Sequence, residues 1–211
     1  GKTVARAEGG FSYQDTHYKL VDLPGTYSLL STSTDEEISR DFILFGQPDV
    51  TVVVVDATLL ERNLNLVFQV LEITNRALLC LNLMDEAERH KLTIDHRRLA
   101  RDLGVPVIPT VARQGKGIPL LIQMIAEIAT GQISVHPQRI QSEPPTLKRA
   151  VQLLVKKLQT VFPELPNARW VALRLLEGDR KIEEEVRSGR LGDLMTRSLS
   201  TEGEISRKVI R

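Results

Sequence analysis

Val21-Asp22-Leu23-Pro24-Gly25 is the stretch from which the fold is read. It ends a short apolar run, Tyr18 to Val21, with an aspartate, a proline and a glycine. An aspartate at the carboxyl end of a strand is placed to hold a metal-bound water. A glycine three residues later lets a backbone N–H approach an anion with no Cβ in the way, while Pro24 restricts the turn by fixing its own φ. The combination reads as a sensor of Mg²⁺ and a γ-phosphate, although a Pro-Gly turn after a strand would use the same letters.

Two further stretches end in the same manner. Leu78-Leu79-Cys80-Leu81 runs into Asn82-Leu83-Met84-Asp85, and Val105-Pro106-Val107-Ile108-Pro109 runs into Thr110-Val111-Ala112-Arg113. In an open α/β sheet, ligands sit outside the carboxyl ends of strands, so three such endings point to one site. An aspartate can accept from both N1–H and the 2-amino group of guanine, a donor pair that adenine does not offer. Asn82 can meet N7 and tie the base loop to its neighbours, and Ala112 is small enough for its N–H to approach the guanine O6. The alternative is that Asn82 and Asp85 cap the helix that follows. Arg113 either lies over the base or faces solvent, and solvent is the expectation.

Outward from these endings, strands and helices alternate. Val4 to Tyr13 reads as an edge strand bent or bulged at Gly9-Gly10, joined through Gln14-Asp15-Thr16 to a strand over His17 to Asp22. Thr26 to Thr34 is a Ser/Thr-rich loop. Thr34 or Asp35 should cap a helix that runs to Phe45 and closes at Gly46. Asp49 to Asp56 contains Val52-Val53-Val54-Val55, the pattern of a strand buried on both faces, with Asp56 capping the turn after it. Helices follow over Asn63 to Glu72, with Leu64, Val67, Phe68 and Leu71 on one side, then over Asp95 to Leu103 and Ile118 to Ala129. This alternation specifies an α/β domain, a mostly parallel sheet flanked by helices.

Composition changes after Gly131. Residues 132–145 read as a linker, rich in proline. Beyond it, Leu147, Ala150, Val151, Leu154, Val155, Leu158 and Val161 form one helical stripe, opposite Lys148, Arg149, Lys156 and Lys157. Helices over Ala168 to Glu177 and Asp179 to Ser188 follow, with no strand signal after Pro145. The expected division is therefore residues 1–131, a linker over 132–145 and a small all-helical domain over 146–211.

The 211 residues are 42% hydrophobic and 26% charged, with a formal net charge of +1. That balance gives no electrostatic case for nucleic acid or an anionic membrane surface. Cys80 is the single cysteine and sits in an apolar run, which suits core packing and excludes a disulfide framework. No stretch reaches the roughly 18 apolar residues of a membrane helix. The chain is expected to be soluble, whether or not it is cut from a membrane protein.

The residues also carry a resemblance. Thr3-Val4 with Glu8-Gly9, Val21-Asp22-Leu23-Pro24-Gly25-Thr26-Tyr27-Ser28-Leu29, Val55-Asp56-Ala57-Thr58, Leu60-Glu61-Arg62-Asn63-Leu64 and Leu81 through Ala87, with Gly104-Val105-Pro106-Val107 and Pro109-Thr110, resemble the cytosolic G domain of FeoB-type ferrous iron transporters. Trp170 to Asp179 is similar to that family's helical domain. The resemblance implies a P-loop GTPase-like G domain followed by the helical domain. It also implies a GTPase that regulates or drives Fe²⁺ uptake from the cytoplasmic face of the bacterial inner membrane. Its partners would be guanine nucleotide and the membrane-embedded Fe²⁺ permease region of the same polypeptide, with no nucleic acid, and a homo-oligomer is left open.

Carried over by residue, Thr3 and Asp22 would serve Mg²⁺ and Gly25 the γ-phosphate, Thr3 and Gly25 being the catalytic contacts. Asn82, Asp85 and Ala112 would read the base of GTP or GDP. K⁺ is a further candidate cofactor. The sequence departs from the pattern in several places. It contains no GxxxxGK[ST] run, Leu83 stands where most GTPases have lysine, and Thr26 rather than glutamine follows Gly25, so intrinsic hydrolysis should be slow. The family's usual ending is not evident in Ser198 to Arg211. Two alternatives are a translation- or ribosome-associated GTPase and a G-like adaptor that no longer binds nucleotide.

Gly1-Lys2-Thr3 has the letters that end a phosphate loop, but a helix must follow such a loop. Gly9-Gly10 interrupt where that helix should continue, and the interval from Lys2 to Asp22 is about half the roughly 40 residues needed. The expectation is that Thr3 is a switch Mg²⁺ ligand, that Lys2 is a solvated side chain, and that the phosphate loop lies upstream. A strand over residues 4–12, antiparallel to His17 to Val21, would agree with this.

Overall fold

The structure, a computed structural model, describes residues 7–29, 33–139, 144–191 and 207–210. It divides into two compact units, one comprising residues 1–43, 48–139 and 205–211, the other 44–47 and 140–204.

The first unit is built on a six-stranded sheet of order β1-β2-β6-β3-β4-β5. β1 (Ala7–Tyr13) and β2 (Thr16–Asp22) are antiparallel, paired without a skip from Ala7↔Asp22 to Tyr13↔Thr16. A strand, not a helix, therefore follows the first residues. The bulge expected at Gly9-Gly10 is absent. Gly10 serves close approach instead, because a Cβ there would lie 2.9 Å from His17 Nε2 and 3.1 Å from the Tyr18 carbonyl. Phe11 stacks on the buried Tyr18 ring with centroids 5.0 Å apart.

β3 (Val50–Asp56), β4 (Ala77–Asn82) and β5 (Val107–Pro109) are mutually parallel. Leu78, Leu79, Cys80 and Leu81 are all buried, as are Val52, Val53 and Val55. The hydrophobic strand pair is thus the centre of the core, as continuous apolar runs require. Val54, expected to be buried on both faces, is 36% exposed, because a cavity opens beside it. β6 (Arg207–Ile210) enters between β2 and β3, parallel to both. This strand corrects the expectation that nothing after Pro145 is extended. Four residues are too few to show a period of two, and the strand is defined by its sheet neighbours.

Helices flank the sheet. α1 (Thr34–Phe45) is capped by Ser33, whose Oγ accepts from Glu36 N at 3.3 Å, one residue before the expected Thr34 or Asp35. α2 (Leu60–Ile73) follows a short 3-10 turn over Ala57–Leu59, capped as expected by Asp56, whose Oδ1 accepts from Thr58 N and Oγ1 at 2.7 Å each. Its buried face is Val67, Val70, Leu71 and Ile73, while Phe68 is exposed, because it sits one 100° step off the row that touches the sheet. α3 (Met84–Arg89), α4 (His96–Leu103) and α5 (Ile118–Ala129) complete the layers, α4 being capped by Asp95. Much of the expected linker packs with this unit. Arg139 donates to Leu71 O at 2.9 Å and to Asn75 Oδ1 at 2.6 Å.

The second unit contains α6 (Pro145–Val161), α7 (Ala168–Leu176) and α8 (Arg180–Arg187). Val151 and Leu158 of the predicted stripe are buried, with Val171, Ala172 and Ile182. Val161 is exposed because α6 ends there. Asp179 caps α8 through Lys181 N and Ile182 N and also accepts from Arg174.

Candidate functional site

β2, β6, β3, β4 and β5 run in one direction, so Asp22, Asp56, Asn82 and Pro109 all emerge along one edge of the sheet. Three strand intervals separate β2 from β4, which places Asp22 and Asn82 roughly 14 Å apart at the usual spacing. That is about the reach of an extended nucleoside triphosphate from its base to its last phosphate.

At the β2 end, the Asp22 carboxylate is exposed and Pro24 O accepts from Ser39 Oγ at 3.3 Å. A Cβ built on Gly25 would meet nothing within 4 Å, so packing inside the protein does not demand glycine there. The loop beyond is held by groups the sequence did not single out. Gln69 Oε1 accepts from Leu29 N at 2.5 Å and Ser28 Oγ at 3.2 Å, and the Arg62 guanidinium lies 4.3 Å from the Tyr27 ring centre. Arg62 and Gln69 are seven residues apart, two helical turns, so a shared face of α2 was the available signal.

A cavity of about 220 Å³ adjoins this loop, lined by Asp22 to Thr26, by Ser39 and Ile43 of α1, by Leu66 and Val70 of α2, and by Thr51 to Val54 of β3. Consecutive strand residues face opposite sides of a sheet, so a cavity lined by four in a row meets β3 along its edge. Among the described residues, β3 is paired on this side only at Val50 and Thr51. Thr51 is 3% exposed, and among the described residues its Oγ1 has no hydrogen-bond partner.

At the other end, Asn82 Oδ1 accepts from Ala112 N at 3.0 Å and Thr110 Oγ1 at 3.2 Å. The two segments are also joined by Thr110 N to Leu81 O and Met84 N to Thr110 O. The N-cap of α3 is Leu83, at φ 62°, with no side-chain cap, so Asn82 spends its oxygen on the neighbouring loop rather than on capping. Gly117 lets that loop turn back, at φ 80°. A Cβ there would lie 2.3 Å from Pro109 O.

Arg113, expected to face solvent, forms an ion pair with Asp85: its guanidinium donates to Asp85 Oδ2 and lies 3.4 Å from Glu86 Oε1. Arg113 is thus turned onto the start of α3, although it is still half exposed, because two carboxylates stand across from it. Its hydrogen bond and charge, helped by the Glu86 N–H and then by Arg89, hold the Asp85 carboxyl below the usual carboxylate range, and Asp85 raises Arg113 in return.

Thr3 and Lys2 lie outside the described residues. Among the described residues no three His, Cys, Asp or Glu cluster as a metal cage. Among the described residues, Asp22 is the carboxylate at the end of β2. A single carboxylate fits Mg²⁺, which keeps several waters and is bound through one or two carboxylates together with phosphate oxygens.

The model of ferrous iron transport protein B matches residues 1–125, the greater part of the chain. The chain belongs to that family. Residues 144–208 match the family's cytosolic helical domain, so the two units correspond to a G domain and the helical domain. The Fe(2+) transporter FeoB of Escherichia coli K12 is 40% identical over 183 residues, which are 85% of this chain and 23% of the transporter. The chain therefore spans about a quarter of the length of the curated relatives it matches. The cytosolic domain of the T. maritima FeoB iron transporter, in its GMPPNP form, is 32% identical with a TM-score of 0.76, covering 90% of this chain and 74% of that one. The FeoB G domain from Methanococcus jannaschii is 45% identical with a TM-score of 0.57, covering 58% and 79%. Among the described residues no helix is long and apolar enough to cross a membrane.

Proposed function

We propose that this chain binds GTP and GDP along the carboxyl edge of its sheet and hydrolyses GTP slowly, as the cytosolic part of an Fe²⁺ transporter. The observation that carries this is the assembly of Asn82, Ala112 and Asp85 at the ends of β4 and β5, three strands from Asp22 and Gly25 on the same edge. Relatives solved in GDP and GMPPNP forms support guanine nucleotide as the ligand.

In this site Asp85 accepts from the guanine edge and Asn82 meets N7. The Ala112 N–H, donated to Asn82 Oδ1 in this structure, would turn to O6 when the base is bound. Asp22, with Thr3, would hold Mg²⁺, which supplies charge neutralisation at the β- and γ-phosphates when bound. Gly25 offers its N–H to the γ-phosphate, and so couples the 25–29 loop to the nucleotide state. Gln69 and Arg62 hold the far side of that loop, and a shift at Gly25 would be felt in α2. Thr26, unlike glutamine, does not reach out to orient an attacking water, which makes the intrinsic rate low. The membrane-embedded permease region of the same polypeptide, at the cytoplasmic face of the bacterial inner membrane, would receive the change.

Equilibrium binding of fluorescent GDP, with unlabelled GDP and ATP as competitors, tests this directly. GDP should compete and ATP should not. Competition by both equally, or no binding, would leave a G-like adaptor as the better account.

A further inference from the structure

The two side chains assigned to the base are both engaged by one turn of the β5–α5 loop. Asn82 Oδ1 accepts from Ala112 N, and the next residue, Arg113, donates to Asp85 Oδ2. Gln114 Nε2 lies 3.4 Å from that same oxygen and Arg89 lies 3.7 Å from it. Oδ1, on the other side of the carboxylate, is closed to solvent and has no hydrogen-bond partner among the described residues. The Asp85 side chain is 19% exposed, and that opening is not at Oδ1. A ligand that approaches Asp85 therefore meets Oδ2 first, and finds Arg113 there.

The occupant is chemically close to the ligand. N1, C2 and the 2-amino group of guanine form a guanidine unit with two N–H donors on one edge, and the arginine head group carries its donors in a similar planar fork. Both suit a carboxylate, and the arginine adds a full charge that the base lacks. The pair is held without being locked. Arg113 is 56% exposed, so solvent weakens its grip. Its guanidinium also lies 3.4 Å from Glu86 Oε1, a second carboxylate on which it can rest after leaving Asp85.

We propose that Arg113 is a built-in competitor for the guanine-reading carboxylate: its guanidinium occupies Asp85 Oδ2 in place of the base and swings toward Glu86 before a nucleotide is read. This rests on the nucleotide site proposed above and adds a control on entry to it. The free chain divides between a closed form, with Arg113 on Asp85, and an open one. Apparent affinity is the affinity of the open form scaled by the open fraction, so a gate open about one-fifth of the time weakens binding about fivefold. The loss falls on the association rate, because Arg113 has already left when the base is seated. Salt screens a partly exposed ion pair, so the gate loosens as ionic strength rises.

The parent, Arg113→Ala and Arg113→Lys chains, each shown by thermal melting to be folded, are mixed with fluorescent GDP by stopped flow and titrated with unlabelled GDP in competition. Arg113→Ala should bind GDP roughly three- to fivefold more tightly, with the gain in the association rate, and Arg113→Lys should fall between, since an ammonium pairs without the planar fork. Raising sodium chloride from about 0.05 M to 0.5 M should narrow the gap between parent and Arg113→Ala, a comparison in which salt effects on phosphate contacts cancel. In an Asp85→Asn background, read with XDP, Arg113→Ala should gain less than about twofold, because the charge that held Arg113 is gone. Weaker or unchanged GDP binding by Arg113→Ala would show a brace rather than a competitor. A gain confined to the dissociation rate, or one that persists in Asp85→Asn, would place the effect elsewhere; each of these results overturns the proposal. If neither the parent nor Arg113→Ala binds GDP, the functional reading falls as well, whereas a GDP-binding parent matched by Arg113→Ala overturns only this inference.

Discussion

Asn82 does two jobs in the proposed site, and they can be separated by substitution. Its oxygen holds the neighbouring loop through Ala112 N at 3.0 Å and Thr110 Oγ1 at 3.2 Å, while its amide nitrogen is assigned to the base. Asn82→Ala removes both bonds, each worth about 1 kcal/mol net. Ala112 is exposed and can turn to water, and the Thr110 hydroxyl keeps Leu81 O at 3.4 Å, so the net loss should be about 1 kcal/mol. Asn82→Asp keeps an acceptor for both groups and should cost less stability than the alanine. It replaces the only donor with a second acceptor opposite N7, which should weaken GDP by about 2 to 3 kcal/mol, roughly 30- to 150-fold. Urea denaturation with a shared m-value gives the stabilities, and competition binding gives the affinities. An aspartate variant that binds GDP as the parent does, or that is less stable than the alanine variant, would refute the division of labour.

Asp85→Asn should exchange guanine for xanthine preference, since the amide donates where the carboxylate accepted, at about 2 to 3 kcal/mol for GDP; paired XDP and GDP titrations measure it. Thr51→Val should stabilise the chain by about 1 to 2 kcal/mol, because a buried hydroxyl with no partner gives way to a methyl of similar size, and a destabilised variant would mean that water in the adjoining cavity serves that hydroxyl. Leu158→Ala should cost about 2 to 4 kcal/mol in the helical unit and leave GDP affinity unchanged, so an affinity loss without a stability loss would place α6 on the switch region instead. For pH, the folded carboxyl of Asp85 is lowered by Arg113, so its stabilisation is complete above the ordinary carboxylate value of about 3.9 and is lost as pH falls through the lower folded value. Melting curves of the parent should therefore fall more steeply in acid than those of Arg113→Ala, and superimposable acid limbs would dismiss the pair as a contributor.

What was legible in the sequence was whatever a short window encodes. The strand runs at Val52 to Val55 and Leu78 to Leu81 were readable because burial on both faces leaves an unbroken apolar string. The cap at Asp56 and the helix starts at Asp95 and Asp179 were readable because an acceptor must stand at the helix start. Asn82 and Asp85 could be placed at a strand end from the same string. Pairings across the sheet were not readable. Arg113 meets Asp85 and Gln69 meets Leu29 over intervals that no local period reports, and each became visible only when the strands were laid side by side. Phe68 shows the limit of periodicity itself: a row of apolar letters does not say which of two adjacent rows the sheet will take.

β6 bears on the order in which the molecule can be assembled. β2 and β3 are complete before α2 begins, yet the strand that joins them is Arg207–Ile210, which is synthesised only after all the other strands of the sheet. Until it arrives the sheet exists as two pieces, the β1–β2 hairpin and the β3–β4–β5 ribbon, each with a raw edge. Open edges of that sort invite pairing with other chains, and closing them across so long a sequence interval is slow. The helical unit, encoded between them, has local contacts and can fold while the sheet waits. Vectorial synthesis therefore builds this sheet from its flanks inward, with the seam in its middle sewn after the rest.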